Sequence, residues 1–103
     1  MTHRVIVRPE AEQDLLEASL WYKERDLGLG KSFIAEVRAA ITRTAEQPLL
    51  SPKLRANPDV RRVLSKRFPF RVFYILRTDT IIIFAVLHAA RHHRRWMDRI
   101  DLA

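Results

Sequence analysis

The sequence has no cysteine, only two glycines and no long apolar run, and each absence excludes a class of protein. Without cysteine, the chain forms no disulfide and has no thiolate metal site or cysteine nucleophile, which fits a cytoplasmic protein. Because Gly28 and Gly30 are the only glycines, no glycine-rich phosphate-binding loop exists, and no cofactor is expected. The apolar run at residues 5–7 is too short for a signal peptide. No segment approaches membrane-spanning length, so no membrane association is expected.

Acidic residues are scarce in the second half of the chain. The formal net charge is +7, from 19 Lys and Arg against 12 Asp and Glu, and nine of the 12 acids precede residue 60. This asymmetry predicts an anionic partner for the C-terminal half, although a merely soluble basic protein would have a similar composition. With 103 residues, 48% of them hydrophobic, the chain is predicted to form one domain, 1–103, around a single core.

Two amphipathic helices are predicted in the first half. Pro9 suits the first position of a helix, and acids follow it where the helix dipole favours negative charge. The apolar stripe of the first helix consists of Ala11, Leu15, Ala18 and Tyr22. That of the second consists of Phe33, Val37, Ala40, Ile41 and Thr44. Residues 26–30, with both glycines, are predicted to form the turn of an αα-hairpin, and Pro48 ends the second helix.

Strands are predicted on both sides of this hairpin. Residues 5–8 form a short β-branched strand, and residues 62–66, 70–77 and 80–88 form three more after a proline-rich loop at 48–59. The last of these is apolar on both faces, which is typical of a central strand. A short helix at 94–100 would carry Trp96. The order β-α-α-β-β-β-(α) predicts an α+β domain with the helix hairpin packed on a small antiparallel sheet.

Two functions suit the basic C-terminal half. The first is metal-independent RNA cleavage, with His88 as general base or acid and arginine side chains holding phosphate oxygens. The candidate catalytic residues are His88, Arg91, Arg61 and Arg71. The second is binding without chemistry, in which positive side chains along the sheet block a large acidic or nucleic-acid complex. The candidate target-binding residues are Arg61, Arg62, Arg71, Arg91, Arg94, Arg95 and Trp96.

Other interpretations are weaker. A metal site at His88, His92 and His93 is set aside, because no acidic ligand lies nearby and the neighbouring arginines repel cations. Trp21 and Tyr22 fall at helical spacing beside apolar residues and are predicted to pack in the core. His88 could equally cap its strand and hydrogen-bond to backbone.

The chain resembles the RelE/ParE superfamily of bacterial toxins from type II toxin–antitoxin modules, and within it the ParE-like branch. The matching residues span almost the whole sequence: Ala11–Leu15 (AEQDL), Trp21-Tyr22, Gly28-Leu29-Gly30 with Phe33, Pro48, Arg61-Arg62, Phe68-Pro69-Phe70 with Val72 and Tyr74, and Ala85–Arg91 (AVLHAAR) with Trp96 and Arg99. The order and spacing of these short motifs carry the resemblance.

The resemblance implies a growth-arresting toxin that forms a complex with a cognate acidic antitoxin. Members similar to RelE cut mRNA in the ribosome and often use a tyrosine or histidine near the C-terminus, whereas members similar to ParE poison DNA gyrase without that catalytic set. No tyrosine follows Tyr74 here, although His88 and Arg91 keep a histidine-based ribonuclease open. By analogy with the ParE-like motifs, gyrase inhibition is the favoured expectation. A RelE-type ribonuclease and a degenerate toxin that acts only as a binding module are the alternatives.

Overall fold

The computed structural model describes residues 2–90 and 95–100. Five strands and three helices follow one another in the order β1 (Arg4–Val7), α1 (Pro9–Arg25), α2 (Leu27–Glu46), β2 (Lys53–Arg55), β3 (Val60–Leu64), β4 (Phe70–Leu76), β5 (Thr80–His88) and α3 (Arg95–Arg99). The predicted α+β class, with a helix hairpin, a sheet and a short C-terminal helix, is confirmed.

The sheet has the strand order β1-β5-β4-β3-β2, which makes β5 a central strand as its apolar composition predicts. The sheet is antiparallel, as predicted, except at one edge, where β1 pairs with β5 in parallel, with Arg4 opposite Thr80 and Val7 opposite Ile83. The remaining pairs are antiparallel. Between Ile83 and Ala85, β5 has one extra residue relative to β4, so Phe84 forms a bulge.

The proline-rich segment predicted as a loop contains β2, which pairs with β3 and forms the second edge of the sheet. The strand predicted at 62–66 begins earlier, at Val60, because both Val60 and Arg61 have partners on β4. In both places pairing with a neighbouring strand, which local composition does not encode, sets the bounds of the element.

The helix hairpin has almost no turn. Asp26 alone separates α1 from α2, and its side chain caps α2 by accepting a hydrogen bond from the Gly28 backbone N–H at 3.0 Å. The predicted glycine turn is therefore wrong, since both glycines lie inside α2. Gly30 serves close packing instead: a Cβ at this position would lie 2.7 Å from the Ser19 carbonyl oxygen on α1.

Apolar side chains cover both faces of the sheet. The helix-covered face packs α1 and α2 against the sheet, and its buried members include Phe33, Phe70 and Tyr74. On the second face, here called the open face, Phe73 and Phe84 form a separate cluster with Trp96 of α3 packed against it. The predicted core stripe of α1 is confirmed, since Ala11 and Ala18 are buried and Leu15 and Tyr22 pack against the same cluster. No described helix is both long and apolar enough to span a membrane.

Candidate target-binding surface

Strand alternation divides the predicted basic residues between the two faces of the sheet. Arg61 lies opposite Tyr74 and so faces the helices, whereas Arg62 lies opposite Phe73 and faces the open side. Arg71 shares the open side because it alternates with Val72, which faces the helices. The sequence-based prediction treated these arginines as one surface, but only Arg62 and Arg71 share a face.

Arg61 is buried and its guanidinium is already occupied. Nε and Nη2 donate to the two carboxylate oxygens of Asp59 at 3.0 and 3.3 Å, and Nη1 donates to the backbone carbonyls of Leu49 and Ser51 at 3.2 and 2.9 Å. The residue is 8% exposed. These bonds fasten the segment after α2 to the sheet, and they leave the guanidinium no free edge for a phosphate or a partner carboxylate.

Two of the predicted target-binding arginines lie on the open face together with Trp96. Arg62 and Arg71 are half-buried there, and the indole of Trp96 stacks on Phe73 with ring centroids 5.7 Å apart and an interplanar angle of 15°. Trp96 thus packs on the sheet and is also half-exposed. The Nε atom of Arg71 is buried without a hydrogen-bond partner among the described residues. Arg62, Arg71 and Trp96 are here called the basic face.

His88 lies on the helix-covered side, away from the basic face. Its ring contacts that of Phe70 with centroids 5.3 Å apart, and its Nδ1 accepts a hydrogen bond from the Ala90 backbone N–H at 3.1 Å. The ring lines a small cavity of about 140 Å³ between α1 and β5, together with Glu17 and Arg95. His88 thus has the strand-end contacts with backbone that were one of its two predicted roles.

The catalytic candidates do not converge within the described residues. Arg71 lies on the opposite face from His88 and Arg61. The cross-strand partners of His88 and Arg61 on β4, Phe70 and Tyr74, are four residues apart, or roughly 13 Å along a strand. The predicted site residues Arg91 and Arg94, and the histidines at 92 and 93, lie outside the described residues. In the described part of the chain, no group of histidine and acidic side chains could hold a metal ion.

Asp14 and Arg99 form a largely buried ion pair that sequence reasoning missed. Two guanidinium nitrogens of Arg99 donate to the two carboxylate oxygens at 2.6 and 3.0 Å, and the side chains are only 14% and 9% exposed. Asp14 also accepts from the Val86 backbone N–H at 2.9 Å, and Arg99 donates to the Phe84 carbonyl at 3.3 Å. The hydrogen bond to Asp14 raises the pKa of Arg99, and partial burial opposes this shift. The pair links α1, the bulge of β5 and α3.

Tyr74, the last tyrosine of the chain, is fully buried, and its hydroxyl donates to the Pro48 carbonyl at 2.6 Å. Burial raises the pKa of its phenol, while a hydrogen bond with Ser51 and the charge of Arg61 lower it. Tyr74 therefore stays protonated at neutral pH and holds the segment after α2. A phenol in this position is inaccessible to a bound nucleic acid.

A groove between α1 and α2 faces away from the sheet. Its volume is about 540 Å³, and its apolar floor includes Leu20, Leu27 and Ile34. The charged side chains that line it are all cationic, namely Lys23, Lys31 and Arg38. This surface, here called the helix groove, combines exposed leucines with positive charge, which suits an acidic amphipathic segment.

A family model and a solved structure both match this chain. A family model described as "ParE toxin of type II toxin-antitoxin system, parDE" matches residues 5–93. No curated protein matches with significance. Among solved structures, one titled "Chromosomal ParDE TA system from P. aeruginosa" has a TM-score of 0.73 at 13% sequence identity, and the match covers 84% of this chain and 96% of that one. At this identity the structural likeness shows the fold alone.

Proposed function

We propose that this chain, which belongs to the ParE toxin family of type II toxin–antitoxin systems, arrests bacterial growth in the cytoplasm by binding and inhibiting DNA gyrase, and that a cognate acidic antitoxin neutralises it. The observation that carries the inhibitory mechanism is the separation of the catalytic candidates. Arg61 is occupied by Asp59 and backbone carbonyls, and Arg71 lies across the sheet from His88. Binding needs no such convergence, because a rigid positive surface is sufficient.

The basic face is the proposed contact with the target. Arg62 and Arg71 project from two paired central strands, which hold them at fixed spacing, and Trp96 adds a flat aromatic surface beside them. Arginine and tryptophan are the side chains most enriched among energetically dominant interface residues. The basic face therefore suits an acidic protein surface.

The helix groove is the proposed antitoxin site. An amphipathic helix laid into it would cover exposed leucines, and its acidic side chains would meet Lys23, Lys31 and Arg38. The expected partner is a small acidic protein. Changing these three cations to glutamate should weaken the complex at least tenfold. Arg43→Glu, a charge reversal on α2 outside the groove, is the control.

A ribosome-dependent ribonuclease is the second candidate, and it is favoured by the half-buried Arg71 on the open face. The outer guanidinium nitrogens of an arginine at this position would donate to phosphate oxygens. In this mechanism Arg71 and Arg91 would stabilise charge and His88 would transfer a proton. A third possibility is a degenerate toxin that retains only antitoxin binding.

One paired experiment separates these functions. Purified toxin is added to gyrase with supercoiled plasmid and, in parallel, to a translating extract with primer extension on mRNA. Inhibited supercoiling or DNA breaks without mRNA cuts are expected. Codon-linked mRNA cuts with unaffected gyrase would move the assignment to ribonuclease, and silence in both assays with intact antitoxin binding would favour a degenerate toxin.

Variants then test the mechanism. Removal of a general base typically costs about 10²–10⁴-fold in rate, so His88→Ala should abolish a ribonuclease and leave an inhibitor nearly intact. Arg62→Ala and Arg71→Ala should weaken inhibition. Inhibition by the wild type should itself weaken as salt rises, because screening shortens the range of the attraction to about 8 Å at physiological ionic strength, and the difference between wild type and these variants should shrink. Full toxicity in all three folded variants would show that the wrong surface was chosen.

A further inference from the structure

The segment that follows α2, residues 47–51, displays two leucines on a fixed support. Leu49 and Leu50 are 70% and 78% exposed. The backbone beneath them is held by buried side chains: Tyr74 donates to the carbonyl of Pro48, and Arg61 donates to those of Leu49 and Ser51. This segment is here called the leucine loop. The leucines are therefore exposed because the fixed backbone directs them into solvent, and not because the loop is mobile.

A cavity lies beside these leucines. It has a volume of about 570 Å³, and its apolar lining includes Pro48, Leu49, Leu50 and Leu76. This volume lies in the range of small-molecule pockets, and it can hold a bulky apolar side chain of a partner protein. The apolar lining and fixed backbone give the site the features of a preorganised anchor pocket in a protein interface.

The charges around the cavity indicate the chemistry of the occupant. The cavity is lined by His3, Glu46 and Arg77 in addition to its apolar residues. Arg77 is exposed, and among the described residues its guanidinium has no hydrogen bond or ion pair. A carboxylate of a partner can pair with it. With a single arginine and one carboxylate of its own, the cavity does not suit a nucleic-acid backbone, which requires several cations.

The position of the leucine loop separates it from the proposed antitoxin site. Residues of α2 that line the helix groove run from Leu27 to Arg38, whereas the leucine loop begins after Glu46. A helix of 20 residues is about 30 Å long, so the two surfaces lie towards opposite ends of α2. A partner confined to the helix groove would leave the leucine loop accessible.

We infer that the leucine loop and its cavity form an anchor site for the toxin's protein target, which inserts a bulky apolar side chain beside Leu49 and Leu50 and pairs a carboxylate with Arg77. This inference rests on the proposed inhibition of gyrase. It adds to the basic face a second, mainly apolar contact that does not overlap the antitoxin site.

The test compares Leu49→Ser/Leu50→Ser with Leu27→Ser, which removes an equally exposed leucine at the far end of α2, and with Arg77→Glu. The double variant should inhibit gyrase supercoiling roughly tenfold more weakly or worse, the loss expected for an apolar interface anchor, while antitoxin affinity changes less than twofold. Arg77→Glu should weaken inhibition in the same direction. Leu27→Ser should show the reverse pattern, and circular dichroism checks that each variant is folded.

Each outcome decides between the two claims. Wild-type toxin that inhibits gyrase, with a folded double variant of equal potency, refutes the anchor site and leaves the proposed function standing. Loss of antitoxin affinity in the double variant would also overturn the inference, because it would place the antitoxin on the leucine loop. If the wild-type toxin has no effect on gyrase, both the anchor site and the proposed inhibition of gyrase are refuted.

Discussion

The ion pair between Asp14 and Arg99 should be a large single contribution to the stability of this small domain. Asp14→Ala removes the carboxylate that accepts three hydrogen bonds, and it leaves both the guanidinium and the Val86 N–H without this acceptor. Breaking a buried pair by removing one partner costs about 3–5 kcal/mol. Because Arg99 is 14% exposed and lies on a one-turn helix, it can turn towards water, so the lower end, about 3 kcal/mol, is expected. For a domain of this size, that corresponds to a melting temperature lower by roughly 12–24 °C.

A double-mutant cycle separates the pair from its surroundings. Arg99→Ala should cost about 2 kcal/mol, since Asp14 retains the Val86 N–H, and the double variant should cost no more than Asp14→Ala alone. The expected coupling is therefore about 2 kcal/mol by urea unfolding. Glu12→Gln, an exposed acid on the same helix, is the control and should change little. Additivity within about 0.5 kcal/mol would refute the reasoning, because it would mean that the two side chains contribute no measurable interaction with each other.

Three further predictions concern the packing and the fastening of the leucine loop. Gly30→Ala should destabilise the fold by about 1–3 kcal/mol in thermal unfolding, because its Cβ would meet a backbone oxygen at 2.7 Å, whereas Gly28→Ala, whose nearest contact is 3.7 Å, should be neutral or stabilising. Arg61→Met should cost about 2 kcal/mol and speed hydrogen exchange at the Leu50 amide, and unchanged exchange would show that the loop holds itself. Tyr74 has a raised pKa, so its contribution is complete below about pH 10, the value in the unfolded chain, and is lost as the pH rises through the folded value. Wild type should accordingly lose stability above pH 10 more steeply than Tyr74→Phe in urea titrations, and parallel curves would contradict this.

Local patterns predict the elements of this fold well. The stripe that contains Ala11 and Ala18 identifies the buried face of α1, and the uniformly apolar sequence of β5 identifies a strand covered on both faces. Each of these signals lies within one element, where periodicity reflects burial directly. The prediction of a glycine turn was wrong because its cause lies outside the element. Residue 30 is glycine because the helix packs closely against another helix there, and the sequence alone does not distinguish that role from a turn.

The candidate site was harder to predict because it depends on which strands are neighbours. Adjacent arginines such as Arg61 and Arg62 must face opposite sides of any strand, so alternation alone already divides the basic residues between two faces. The burial of Arg61, by contrast, depends on carbonyls up to 12 residues away, and Asp14 meets Arg99 across 85 residues. No local pattern carries that information.

The parallel edge of the sheet has a consequence for synthesis on the ribosome. Arg4 pairs with Thr80, so β1 must wait for β5, and it stays unpaired while 76 further residues are added (from 4 to 80). The central position of β5 delays the core in the same way, because α1 and β4 both pack against a strand that ends at His88. Such distant pairings form late and slowly. A nascent chain truncated before β5 therefore lacks the sheet that presents the basic face, and this face forms only after residue 88 has left the ribosome.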